Sequence, residues 1–265
     1  MDIVIRPTAE HVHHLAAEVI ADAIRSNPRV VLGLPTGRTM LPVYAELVRR
    51  HREEGLDFGG LTTFNLDEYA GLDENDPRSF RAYMRKNLFE AVNLQPQRCH
   101  LPDGSADDLA RACREYEERI SAAGGIDLQV LGVGMTGHIG FNEPGSSLHS
   151  RTRTKALSEI TRLQNASAFG GGEHVPQRAV TMGIGTILDA RRCLLITTGE
   201  AKAVVVSVAL EGPVTASVPA SALQFHPRCD VILDEAAASR LRNVDYYVAT
   251  YAIEPEWAPY RERGL

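Results

Sequence analysis

The chain has 265 residues, 44% of them hydrophobic, and a formal net charge of -6. That length and apolar content suit one large folded unit read over residues 1-265, and the acidic balance argues against a nucleic-acid or membrane-surface partner, since both select a basic face. No apolar run is long enough to span a bilayer, and Met1-Asp2-Ile3-Val4-Ile5-Arg6-Pro7 has no signal-peptide pattern, so the expected location is the cytoplasm.

Ile3 to Ile5 reads as a short strand, and Thr8 caps a helix that carries Val12, Leu15, Val19, Ala23 and Ile24 at helical spacing up to Pro28. His11, His13 and His14 lie on it without acidic or thiol partners at metal-ligand spacing, so they are read as surface residues. Arg29 to Leu34 is a β-branched apolar run, hence a second buried strand, and it opens into Pro35-Thr36-Gly37-Arg38-Thr39. A helical pattern through Leu41, Tyr44, Leu47 and Val48 starts at once. Free N–H groups, hydroxyls and the positive end of a helix would converge there on an anion such as a phosphate, although an ordinary strand-to-helix turn has the same pattern. The spacing of a nucleotide P-loop is absent.

Leu61 to Leu66 is a third strand, ending on Asp67-Glu68-Tyr69. Paired acids at a strand's end serve proton transfer, and they serve equally well to cap the next helix. Helices are expected from Pro77-Arg78-Ser79 toward Val92, and from Ser105 and Asp108 through Ile120. Ile126 to Leu131 is the central buried strand. It leaves through Gly132 and Gly134 into Met135-Thr136-Gly137-His138-Ile139-Gly140-Phe141-Asn142-Glu143-Pro144, where a histidine is followed five residues later by a carboxylate. That is equipment for acid–base chemistry, and a structural histidine beside a glycine turn is the alternative.

The next segment, Ser146 and then Ser150-Arg151-Thr152-Arg153-Thr154-Lys155, is basic and rich in hydroxyls, suited to a second anion or to acids at a subunit contact. Residues 158-176, with Gly170-Gly171-Gly172 and few apolar anchors, read as a lid or as a plain surface loop. Arg192 to Thr197 is a further strand, and Gly199-Glu200-Ala201-Lys202 leads into a helix through Leu210. Lys202 falls in its first turn, where the helix dipole disfavours a cation unless an anion offsets it. Cys229 to Leu233 and Asp245-Tyr246-Tyr247-Val248 are read as late strands. Cys99, Cys113, Cys193 and Cys229 form no C-x-x-C pair, so neither a zinc site nor a disulfide framework is expected. Strands alternating with helices predict an α/β fold with a doubly wound, mainly parallel sheet and helices on both faces. Positions 36-39, 67, 138-143 and 202 all follow strand ends, so one cleft can collect them.

Gly33-Leu34-Pro35-Thr36-Gly37, Thr63-Phe64-Asn65-Leu66-Asp67-Glu68-Tyr69, Gly137 to Pro144, Ser150 to Lys155 and Gly199 to Lys202 together resemble, in order, the motifs of the glucosamine-6-phosphate deaminase (isomerase) family. Relatives such as 6-phosphogluconolactonase share the general fold and a Gly-His element, but Phe141-Asn142-Glu143-Pro144 looks like the deaminase. The resemblance implies a Rossmann-like fold and conversion of glucosamine 6-phosphate and water into fructose 6-phosphate and ammonia, without a cofactor. It implies Asp67 as the base moving a proton between C2 and C1, and His138 supported by Glu143 as the group that opens the sugar ring. Thr36, Gly37, Thr39 and Lys202 would hold the phosphate. In allosteric members, residues matching Ser146, Arg153 and Lys155 bind N-acetylglucosamine 6-phosphate between subunits, so that effector and a homo-oligomer are expected.

Two positions depart from the family pattern. Thr136 stands where the family usually has an Asp of the His–Glu relay, and it can orient the histidine by hydrogen bonding but carries no charge. Ser167 stands where an Arg usually reaches the substrate from the lid, and Arg38, where the phosphate loop usually has a small residue, could supply the missing positive charge. Three readings follow: a deaminase with a modified relay, an enzyme for another amino-sugar phosphate, and a non-catalytic sensor. Retention of Asp67, His138, Glu143 and Lys202 argues against the sensor.

Overall fold

The computed structural model describes residues 1–171 and 174–264; positions 172 and 173 of the expected lid, and Leu265, lie outside the described residues. In chain order the elements begin β1 (Asp2–Arg6), α1 (Ala9–Ser26), β2 (Val31–Leu34), α2 (Met40–Glu54), β3 (Thr62–Asn65), β4 (Asp67–Tyr69), α3 (Phe80–Met84), β5 (Cys99–His100), α4 (Leu109–Ala122) and β6 (Leu128–Leu131). They continue as β7 (Arg153–Ala156), α5 (Glu159–Asn165), β8 (Arg178–Thr181), α6 (Ile184–Leu188), β9 (Cys193–Thr197), α7 (Ala203–Glu211), β10 (Cys229–Asp234), α8 (Glu235–Ala238), α9 (Val244–Ile253) and α10 (Ala258–Glu262).

Seven strands form one sheet in the order β1-β10-β9-β6-β2-β3-β5, every pairing parallel. Both faces are covered, which explains why the strands read as continuous apolar runs rather than alternating ones. Along β9, Leu194 and Ile196 enter the core with α1 and α2, while Cys193 and Leu195 enter the opposite core. This is the doubly wound α/β architecture the sequence predicts. From β2 the chain moves outward to β3 and β5, and from β6 it moves the other way to β9 and β10, so the order reverses between β2 and β6. A crevice opens outside the carboxyl ends of strands at such a point.

A second, smaller antiparallel sheet, β4-β8-β7, was not expected. Asp67 to Tyr69 is therefore not the tail of β3. Leu66 divides the two strands, donating its N–H to Leu34 O at 3.2 Å and accepting from Met182 N–H at 2.7 Å. The polar segment 150-155 likewise runs into a strand, β7, whose partner is supplied by β8.

Asp245 to Val248 is helix, not strand. The β-prone residues of α9 follow a helical period instead, with Val244 and Tyr247 packed on one core and Tyr251 on the other, and the helix lies against the edge strand β1. The cap of α1 is Thr8 as expected, with its hydroxyl accepting from His11 N–H, whereas α4 is capped by Asp108 and not by Ser105. Ser79 caps α3, which passes directly into a π-type segment over Arg85–Phe89. Among the described residues no helix is long and apolar enough to cross a membrane.

Candidate functional site

The loop after β2 is held by what surrounds it. Tyr44 donates its hydroxyl to Pro35 O at 2.5 Å, and Tyr83 donates to Gly37 O at 2.7 Å. Gly37 adopts φ 115, a backbone conformation that favours glycine. Within the loop, Met40 N–H bonds Gly37 O and Leu41 N–H bonds Arg38 O, but the N–H groups of Thr36, Gly37, Arg38 and Thr39 take no acceptor among the described residues. Four donors therefore stand at the start of α2, and the exposed Arg38 makes no ion pair among the described residues. Neither bracing tyrosine stood out in the sequence, because each lies on a helix whose apolar face accounts for it.

Asp67 and Glu68, neighbours in sequence, separate in space. Glu68 accepts the N–H groups of Tyr69, Phe80 and Arg81 at 2.8, 3.0 and 2.9 Å and so caps α3. Asp67 accepts no hydrogen bond among the described residues, although it is only 6% exposed. Burial, and then the nearby Glu68 charge, pushes its carboxyl up to about 8. Its Oδ2 faces the glycine turn after His138: a Cβ on Gly140, whose φ is +55, would lie 3.5 Å from it and 2.8 Å from Thr181 Oγ1.

In that turn His138 lies flat against Gly134, where any Cβ would come within 2.0 Å of Nε2. Its Nδ1 is 2.8 Å from Thr136 Oγ1, and the same hydroxyl donates to Glu143 Oε2 at 3.3 Å. Direct approach of Glu143 Oε2 to Nδ1 is longer, 3.7 Å. A hydroxyl has one proton, so donation to the carboxylate obliges it to accept from Nδ1–H. That leaves Nε2 as the nitrogen open to a ligand. Thr136 thus bridges histidine and carboxylate. Burial raises the Glu143 carboxyl, but bonds from His138, Thr161 and Ser158 outweigh it and hold the group down at about 2.

Lys202 reaches across the end of β6, its Nζ donating to Val133 O at 2.9 Å; burial lowers its pKa, and no salt bridge to it is found among the described residues. The contacts Leu34–Asn65, Asp67–Gly140, Gly134–His138 and Val133–Lys202 bring the strand-end segments that carry residues 36–39, Asp67, His138 and Lys202 together at the β2/β6 reversal. Farther along, Arg153 donates to Asn142 Oδ1 at 2.9 Å and shares a face of β7 with Lys155, while Ser146 is buried with its hydroxyl unpartnered. Among the described residues no hydrogen bond joins Ser146 to those two. Ser167 is exposed in the short turn Ala166–Ala168 after α5. Ser158, which in the sequence only opens the lid or surface loop 158-176, donates to Glu143.

A family model described as glucosamine-6-phosphate isomerases/6-phosphogluconolactonase matches residues 6–232. A glucosamine-6-phosphate deaminase of Arthrobacter sp. (strain FB24) is 52% identical over 257 residues, 97% of this chain and 99% of that protein. One of Streptomyces coelicolor is 47% identical over 258 residues, again 97% and 99%. A monomeric glucosamine-6-phosphate deaminase of known structure superposes with a TM-score of 0.89 at 45% identity, covering 91% of this chain and 100% of that one. The 6-phosphogluconolactonase of Trypanosoma brucei, at 19% identity and a TM-score of 0.73 over 91% of this chain and 98% of that one, shares the fold.

Proposed function

The chain belongs to the glucosamine-6-phosphate isomerase/6-phosphogluconolactonase family, and from that premise we propose that it is a glucosamine-6-phosphate deaminase of amino-sugar catabolism in the cytoplasm. It converts glucosamine 6-phosphate and water into fructose 6-phosphate and ammonia. The observation that carries this reading is Asp67: a buried carboxyl with no hydrogen bond, raised to about 8, facing the turn that bears His138. Ester hydrolysis by a lactonase has no use for a base at C2, and a sensor has none for a carboxyl kept dry and unpaired.

The free amides at Thr36, Gly37, Arg38 and Thr39 receive the phosphate, with Lys202 as its cation and Arg38 as a second one that supplies the charge Ser167 cannot. His138, its Nδ1–H held by Thr136 and Glu143, takes the O1 hydroxyl proton on Nε2 and returns a proton to O5 as the C1–O5 bond breaks. Asp67 then takes the proton from C2, the C–H pair forms C1=C2, and the aldehyde oxygen becomes a hydroxyl with a proton from the substrate's own ammonium group. Asp67 returns its proton to C1 while the nitrogen lone pair forms C2=N. Water adds at C2 and ammonia leaves. The ammonium of the bound substrate lies beside C2, so its charge favours ionisation of Asp67 on binding.

The test is ammonia release from glucosamine 6-phosphate with fructose 6-phosphate measured in parallel. Both products are expected from the wild type, with loss of both in Asp67→Asn. Binding without turnover would support a sensor, and turnover only with another amino-sugar phosphate would replace the substrate. For the phosphate loop, Arg38→Ser should raise KM about tenfold with kcat nearly kept, as loss of one charge-assisted contact predicts. An unchanged KM removes Arg38 from the site. The effector and the oligomer implied by the allosteric relatives find no support in the solved deaminase, which is described as monomeric.

A further inference from the structure

Glu143 is gripped from two sides. Oε2 meets Thr136 and His138, while Oε1 accepts from Ser158 N–H at 3.2 Å and from Ser158 Oγ at 3.0 Å. Ser158 also caps α5, its Oγ accepting from Thr161 N–H at 3.2 Å. Capping needs only that last bond. The two donated to Glu143 are additional, and they cross fifteen residues of chain to reach the relay.

The rest of α5 contributes little apolar attachment. Ile160 and Leu163 are 55% and 61% exposed, and the only buried residue of the helix is Thr161, whose hydroxyl lies 3.1 Å from Ser158 Oγ and helps to hold the Glu143 carboxyl down. The seating of α5 on the site is therefore polar and converges on one carboxylate. A glutamate has several rotatable bonds, and a buried one without Ser158 could turn away from Thr136. Thr136 would then lose its acceptor and be free to donate to Nδ1, which would exchange the roles of the two ring nitrogens.

We propose that Ser158 is a positioning residue: its two donors fix Glu143 in the orientation that reaches Thr136 and His138, so the seating of α5 decides whether His138 can carry the ring-opening proton. The inference rests on His138 being the ring-opening group. It extends that reading by making the relay a composite of the 136-143 turn and a segment beyond β7.

Capping and positioning are separated by two substitutions that both cap well. Ser158→Thr keeps the cap and the hydroxyl donor; Ser158→Asp keeps the cap but sets a like charge against Glu143. Turnover of glucosamine 6-phosphate in Ser158→Thr should stay within about twofold of wild type, while kcat of Ser158→Asp falls by at least about tenfold with KM nearly unchanged, at equal fraction folded by circular dichroism. In a Glu143→Ala background, Ser158→Asp should produce no further loss. Ser158→Gly, which lacks the hydroxyl but keeps the N–H and a tolerable cap, gives an intermediate kcat if Ser158→Asp does not fold. Equal kcat for the Thr, Asp and Gly variants, or the same loss with and without Glu143, would overturn the proposal. His138→Asn separates the two claims: full turnover in that variant rejects the ring-opening role itself, whereas a deep loss in it with Ser158 inert rejects only the positioning.

Discussion

Asp67 and Glu143 both carry buried carboxyl groups, 6% and 5% exposed, near the same glycine turn. Burial acts on each in the same sense, yet Asp67 rises to about 8 and Glu143 falls to about 2. The difference is the number of donors. Asp67 has none among the described residues, whereas Glu143 is met by Thr136, by Ser158 and by the His138 ring. One residue class is thereby divided into a group able to take up and release a proton and a group fixed as a charge, the division by environment that acid–base sites rely on.

Removing the titrating member should have the largest effect. Asp67→Asn is isosteric and breaks no hydrogen bond, so kcat should fall by about 10²- to 10⁴-fold with the fold intact, checked by turnover and by circular dichroism. The pH profile sharpens the contrast. Because free Asp67 must lose its proton to act, kcat/KM should rise about tenfold per pH unit as pH climbs toward about 8. The kcat limb should lie lower, since the substrate's ammonium favours the ionised form. Coincident limbs would mean that the substrate nitrogen does not reach Asp67.

Stability gives the smallest and most specific difference. Between the ordinary carboxylate pKa and about 8 the native state holds a proton on Asp67 that the unfolded chain has released, so this residue destabilises the fold progressively as pH rises through that window. Asp67→Asn should melt above the wild type at pH 9 and level with it near pH 3. Glu143 has the opposite sign: its stabilisation is complete above about 4.5 and is lost as pH falls toward about 2. Glu143→Gln should therefore melt below the wild type at pH 7, with the gap closing in acid. A gap independent of pH would show that packing, and not charge, sets it.

The parts of this site that follow buried parallel strands were legible in the sequence, because an apolar run ending in Gly, Thr, Asp or His carries both the element and the place where its loop emerges. Local pattern alone does not separate Asp67 from Glu68; only the resemblance to the family does. Their difference depends on α3 presenting its N-terminal N–H groups to one and not the other, a relation between distant segments. The small sheet was hidden for a similar reason: Arg153–Ala156 is polar and short, and only its pairing with Arg178–Thr181 makes it a strand. Tyr246 to Val248 misled because β-branched and aromatic residues favour strands locally, while packing against β1 selects a helix. Ser158 reads only as the start of a lid or surface loop, since its bond to Glu143 is invisible to local pattern.

Glu68 holds the first turn of α3 through Phe80 and Arg81, and from the same helix Tyr83 holds Gly37. Asp67, the adjoining residue, is thus tied by one short strut to the loop assigned to the phosphate. The two ends of the substrate are consequently gauged against each other, as by a fixed caliper: a phosphosugar one carbon shorter or longer, anchored at its phosphate, would present its second carbon about 1 Å or more out of place, a displacement able to lower the rate about 10²-fold. Selection by chain length would then require no contact with the intervening hydroxyls.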